Sequence, residues 1–348
     1  MSARICICAT QVPFSRGGAE LLVESLAGEL TRRGYEVETV VLPFSWSSRR
    51  QILRSALAWR LLDLTEVGGR PIDLVIATRF PSYAIRHPNK VVWLIHQFRQ
   101  VYELAGTRFS DFGSLPGDDE VIGMVRRMDL RTLSEARRLC TISKNTAERL
   151  ERFLGIQGEA LYPPPALADR LRVGAPGDYV LGVGRLDEMK RFDRLVAAMA
   201  ETSSPVRCVL VGEGPERARL EGMISDLGLS ERVELAGAVD GDRLVDLYAG
   251  ALAVYYAPFD EDYGYVTVEA FQSGKPVITT ADAGGVLEFV RDGHNGIVCP
   301  PGATRRVARA GDRRAGDTEV AAGPGEAGRR DAGAVGWDTV IGALTSTL

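Results

Sequence analysis

Short β-branched apolar runs alternate along this chain with stretches whose apolar residues recur every three to four positions. That alternation is the pattern of parallel strands flanked by helices. Residues 4–9 (RICICA) read as a buried strand, followed by a glycine turn at Gly17-Gly18. A helix comes next, with Leu21, Leu22, Leu26 and Leu30 on its apolar side and Gly34 to end it. Further strands are predicted at 36–42, 73–77, 91–95 and 139–142. The run 161–165 (LYPPP) interrupts this order, because three successive prolines remove amide donors and fix φ; it reads as a domain boundary. Beyond it the alternation restarts, with strands at 179–184, 206–212, 232–236, 252–258 and 276–280. Helices are predicted between them at 191–200, 215–227, 241–249, 266–273 and 284–291. The fold class is therefore α/β, with two Rossmann-like doubly wound parallel-sheet domains, 1–163 and 164–301, facing each other across a cleft. Each would present ligand-facing loops at the carboxyl ends of its strands.

The pattern fails from Gly302 to Gly336. This stretch holds no Leu, Ile, Phe or Met, and its larger aliphatics are Val307, Val320 and Val335. No helical apolar stripe can be drawn through it. Two readings stay open: a divergent, flexible polar arm, or a pair of compensating frame changes across about 302–324. Helical spacing returns at Trp337, Val340, Ile341 and Leu344, and that last helix, 337–348, is able to pack back on the first domain.

Composition narrows the function classes. The 348 residues carry 45% hydrophobic and 25% charged side chains with a net charge of −4, which gives no footprint of a nucleic-acid binder. Five cysteines, an odd number set in apolar runs, argue against a disulfide framework, and Cys6 and Cys8 lack a second pair to complete a zinc site. No signal peptide opens the chain and no apolar run approaches about 18 residues, so a cytoplasmic protein is expected. Residues 48–64 set Arg49, Arg50, Arg54 and Arg60 against Leu53, Leu57, Leu61 and Leu64. A helix that covers its domain explains this pattern, and so does weak peripheral contact with an anionic membrane face.

The candidate chemistry sits at predicted strand ends. In 257–278 (APFDEDYGYVTVEAFQSGKPVI), Glu261 falls in a loop and Glu269 on a helix that starts near Tyr265. Carboxylates accept bonds from sugar hydroxyls, and helix-start amides suit a diphosphate. In 183–193 (VGRLDEMKRFD), Arg185 and Lys190 leave a strand just before a helix, where fixed cations would stabilise a departing diphosphate. Arg191 is a weaker candidate, and Lys275 reads as a surface residue of a turn. The Gly17-Gly18 turn lets backbone approach a phosphate closely but lacks a dinucleotide fingerprint. His96, at the end of an apolar strand, is placed to meet a sugar hydroxyl.

Taken in order, these residues resemble the family 4 retaining glycosyltransferases of the GT-B superfamily, in which two glutamates separated by seven residues mark the donor site. The resemblance covers roughly 1–300. It implies that Glu261 contacts the donor sugar and Glu269 the nucleotide ribose, while Arg185 and Lys190 hold the diphosphate. It also assigns Gly17 and Gly18 to the amino-terminal glycine loop and His96 to the sugar. Backbone at Val239 would meet the base, and amides at Tyr263, Gly264 and Tyr265 would face sugar and phosphate. The implied activity is retaining, metal-independent transfer to a sugar, lipid-linked or small-molecule hydroxyl. No cofactor is called for beyond the nucleotide-sugar co-substrate, UDP- or GDP-linked. A non-catalytic nucleotide-sugar-binding protein, or a sugar-nucleotide epimerase or sugar-phosphate synthase on the same fold, is the rival expectation.

Overall fold

The computed structural model describes residues 2–46, 48–113, 115–316, 318–333 and 335–348, without the side chains of 313–322. The chain divides into two compact units, Met1–Ala166 with Gly336–Leu348, and Leu167–Val335.

The first unit opens with β1 (Arg4–Gln11), α1 (Gly18–Arg32), β2 (Glu36–Pro43) and α2 (Arg49–Leu61). A two-strand hairpin, β3 (Glu66–Val67) and β4 (Arg70–Pro71), leads to β5 (Leu74–Ala77) and β6 (Lys90–Leu94). Then come α3 (Asp118–Leu133), β7 (Arg138–Thr141), α4 (Lys144–Leu154) and β8 (Glu159–Ala160). The six-stranded sheet runs β2-β1-β5-β6-β7-β8, and all its pairings are parallel. Chain order therefore reverses between β1 and β5, where a doubly wound sheet opens a crevice. Helix α1 buries Leu22, Val23, Leu26 and Leu30, whereas Leu21 is exposed; the inward stripe is turned by one residue from the predicted one.

The second unit contains β9 (Tyr179–Val183), α5 (Phe192–Ala200), β10 (Arg207–Val211), α6 (Arg217–Asp226) and β11 (Val233–Gly237). It continues through α7 (Gly241–Gly250), β12 (Ala253–Tyr255), α8 (Tyr265–Gln272), β13 (Val277–Thr280) and β14 (Gly296–Cys299). Its sheet runs β11-β10-β9-β12-β13-β14, the dinucleotide-fold order, with the reversal between β9 and β12. Local capping agrees with the sequence: the Asp240 carboxylate accepts the Arg243 amide at 2.8 Å to start α7.

The polar segment after Pro301 departs from expectation. It forms α9 (Thr304–Gly316) and α10 (Thr318–Ala332), and α11 (Trp337–Leu344) then joins the first unit. The described side chains that dock α9 and α10 are mostly small. Val307, Ala308 and Ala310 of α9 enter the core formed by α5, α6 and the sheet. The Asp312 carboxylate ties α9 down by accepting the backbone and hydroxyl groups of Ser203 and Ser204 at 2.6–3.1 Å. On α10, glycines allow close approach: a Cβ on Gly325 would lie 2.0 Å from the Gly274 carbonyl oxygen, and one on Gly328 2.3 Å from the Phe271 ring. A search for a stripe of large residues misses contacts made by alanine and glycine. The Val320 side chain lies outside the described residues. All five cysteines are free and buried.

Candidate functional site

At the reversal of the second sheet, two strand-end loops meet. The loop leaving β9 carries Arg185 and then a single 3-10 turn over Glu188–Lys190, capped by Asp187, which accepts the Lys190 amide at 3.1 Å. The loop leaving β12 carries Glu261 and ends at α8. Lys190 Nζ lies 2.5 Å from Glu261 Oε2 and donates to Tyr256 Oη at 3.1 Å. Burial pulls the Lys190 ammonium pKa down, but the Glu261 charge and the Tyr256 oxygen outweigh it and hold the pKa above the usual lysine range. Burial also pushes the Tyr256 hydroxyl up, so it stays a neutral hydrogen-bonding group. Arg185 is exposed and makes no ion pair with the described residues.

Backbone contacts fix these loops. Phe259 donates to the Met189 carbonyl at 2.8 Å, and Glu261 to that of Ala283 at 3.1 Å. Arg191, given little weight from sequence, is the principal side-chain tie. It is buried in the left-handed region with φ of 55° and binds Asp282 through both terminal nitrogens, at 2.7 and 2.9 Å. It also donates to the carbonyls of Ala257 and Pro258 and to Thr280 Oγ1. The sequence signal for this role was its partner, Asp282, lying past the next strand end. Glycines bring the neighbouring loop in: a Cβ on Gly212 would lie 1.9 Å from the Gly184 oxygen, and one on Gly214 2.2 Å from the Leu186 oxygen.

Helix α8 begins after Gly264, whose φ of 86° and close packing on Tyr256 and Val286 admit only glycine. No side chain among the described residues caps this start, so its amides suit an anion. Tyr263 is buried and Tyr265 half-buried beside it. Glu269, one turn into α8, accepts the Tyr248 hydroxyl at 2.7 Å. Burial raises its pKa, and the Tyr248 bond offsets this only in part. Val239 is half-buried between the end of β11 and the start of α7. The structure thus gathers Lys190, Glu261, Tyr256, Gly264 and Tyr265 around one strand end, with Glu269 and Tyr248 alongside. Tyr248 and Tyr256 were not found from sequence. Their hydroxyls matter only because neighbouring strands and helices bring carboxylates to them.

Gly17, Gly18 and His96 belong to the first unit. Gly17 is exposed and extended at the start of α1, where its amide donates to Glu20 at 2.8 Å. His96, half-buried past the end of β6, has Nδ1 2.6 Å from the Gln97 carbonyl oxygen. A hollow of about 760 Å³ in this unit is lined by Val12, Trp46, Arg49 and Asp111 among others. Lys275 is not a surface residue: it is buried, donates to the Gly174 carbonyl at 2.8 Å, and burial lowers its pKa to about 8.

Two doubly wound parallel-sheet units with these strand orders make the fold GT-B. Residues 170–331 match the family described as glycosyl transferases group 1. The chain is 32% identical over 198 residues to a D-inositol 3-phosphate glycosyltransferase of Acidothermus cellulolyticus, a match covering 52% of this chain and 44% of the relative. The aligned stretch thus spans less than half of that relative. Sucrose-phosphate synthase from Thermosynechococcus elongatus shares the fold at a TM-score of 0.76 and 21% identity, over 99% of this chain and 97% of the other. Anabaena HepE, solved in complex with UDP and glucose, does so at 0.70 and 20%, over 98% of each chain.

Proposed function

We propose that this protein is a retaining glycosyltransferase that moves a sugar from a nucleotide-sugar donor to an acceptor hydroxyl. The Lys190–Glu261–Tyr256 cluster beside the uncapped start of α8 carries this reading. A diphosphate gains negative charge as its bond to the sugar breaks, and Lys190, Arg185 and the α8 amides supply fixed positive potential there. Glu261 is suited to accept a sugar hydroxyl, and Glu269, held by Tyr248, to accept ribose hydroxyls. Backbone at Val239 is assigned to the base. HepE binds UDP and glucose on the same fold, which supports a UDP-sugar here; a GDP-sugar is the other candidate.

Transfer with retention needs no protein base in this scheme. The acceptor oxygen bonds to the anomeric carbon on the face the diphosphate leaves, and its proton passes to the departing phosphate oxygen. Positive charge from Lys190 and Arg185 replaces a metal. We assign acceptor binding to the first unit, and to its His96 and Gly17-Gly18 turn contact with the donor's sugar and phosphate. The acceptor classes are a sugar, a lipid-linked sugar or a small-molecule hydroxyl. The test is transfer from a labelled UDP- or GDP-sugar to an acceptor panel, with and without EDTA, followed by NMR of the product's anomeric proton. An α-product from an α-linked donor, at a rate EDTA leaves unchanged, is expected. An inverted product, or loss of activity with EDTA, would overturn the mechanism.

A further inference from the structure

Helices α2 and α3 lie side by side and parallel in the first unit. Arg49 at the start of α2 pairs with Asp118 at the start of α3, and Arg60 near its end pairs with Glu135 just past the end of α3. Their inner faces are spent on the core: Ile52, Ala56 and Trp59 on one, Val121, Val125 and Leu133 on the other. The outward faces are a different matter. On α2 the exposed residues Arg50, Arg54, Leu57, Ala58 and Leu61 fall on one stripe at helical spacing. On α3, Arg127, Leu130 and Arg131 are exposed. Leu57, Leu61 and Leu130 are 55%, 75% and 45% exposed, so the leucines are not accounted for by packing.

Charge on this double face is one-sided. Arg50, Arg54 and Arg127 have no ion-pair partner among the described residues, and Arg131 only a 3.9 Å approach to Glu135. Exposed acids on α3 are confined to its first turn, at Asp119 and Glu120. The whole chain carries a net charge of −4, so a basic face here is a local arrangement and not a general property. Arginine interleaved with exposed leucine suits a surface that offers phosphates and hydrocarbon together. The outward residues include no aromatic side chain on which nucleic-acid bases would stack.

We propose that the outer face of α2 and α3 docks on an anionic phospholipid bilayer, with Arg50, Arg54, Arg127 and Arg131 on headgroup phosphates and Leu57, Leu61 and Leu130 at the acyl boundary. No helix among the described residues is long and apolar enough to cross a membrane, so the contact is peripheral. None of these residues belongs to the donor site, and the inference stands whether or not that site is correctly assigned.

Flotation of the full chain with vesicles of phosphatidylglycerol and phosphatidylcholine in equal parts, against pure phosphatidylcholine, tests it at low salt. Wild type floats with the anionic vesicles and stays behind with the neutral ones. The double change Arg54→Glu, Arg127→Glu lowers partitioning by about tenfold or more, and Leu57→Ser with Leu61→Ser lowers it comparably. Unaltered thermal melting shows that the variants are folded; a salt titration of wild type, which weakens the contact, gives the same reading without substitution. Failure of wild type to float, or undiminished flotation of folded variants, overturns the proposal. So does a wild-type dimer that the leucine changes dissociate, since a second copy would then occupy the face.

Discussion

Asp129 brings a carboxyl into the core of the first unit with no cation paired to it among the described residues. It is fully buried, accepts the Tyr102 hydroxyl at 2.7 Å, and burial raises its pKa from 3.8 to about 7, with the Tyr102 and Tyr83 hydroxyls opposing. Between those values the folded state keeps a proton that the unfolded chain has lost. Stability therefore falls as pH climbs from about 4 to about 7. Asparagine mimics the neutral form, so Asp129→Asn should stabilise the fold more at pH 8 than at pH 5, the difference being on the order of 1 kcal/mol or more. Equal effects at both pH values would rule out this account. The residues proposed for the donor site are legible in sequence to a different degree. Glu261, Glu269, Arg185 and Lys190 stand out because charges at strand ends follow from the strand pattern alone. Arg191 does not, since its worth lies in Asp282, 91 positions away in sequence.

At the scale of elements, the strands and helices predicted between 179 and 280 fall within a residue or three of their predicted bounds, whereas the helix expected over 284–291 is a single 3-10 turn, Gly285–Glu288, and β14 was not predicted. Helices α9 and α10 were missed for a physical reason. Gly311, Gly325 and Pro324 are poor helix formers, and the contacts that hold these helices involve small side chains and the carboxylates of Asp312 and Asp331. The same glycines give predictions of opposite sign. A Cβ on Gly311 would meet Val180 and Val206 at 3.9 and 4.0 Å, ordinary contact distances. Gly311→Ala should thus stabilise the second unit by about 1 kcal/mol through helix propensity. Gly325→Ala drives a methyl into the Gly274 carbonyl and should cost about 1–3 kcal/mol. Chemical denaturation of both variants checks the pair; a stabilising Gly325→Ala would show that α10 does not pack as described.

On the scale of the molecule, each unit brings its candidate site residues near strand ends, and the two sheets reverse their order at different strands. The proline run at 161–165 marks the change from one unit to the other. What sequence does not convey is how Lys190 is held before a donor arrives. Its ammonium is already paired with Glu261, so under the proposed function a diphosphate would compete for it or share it. Donor affinity should accordingly depend on Lys190 and Glu269 together, the one through phosphate and the other through ribose. Calorimetric titration of UDP- and GDP-sugars into wild type, Lys190→Ala and Glu269→Ala tests this most directly. The account predicts saturable one-site binding to wild type, weakened by about tenfold or more in each folded variant. Absence of binding to wild type, or unchanged affinity in the variants, would contradict it.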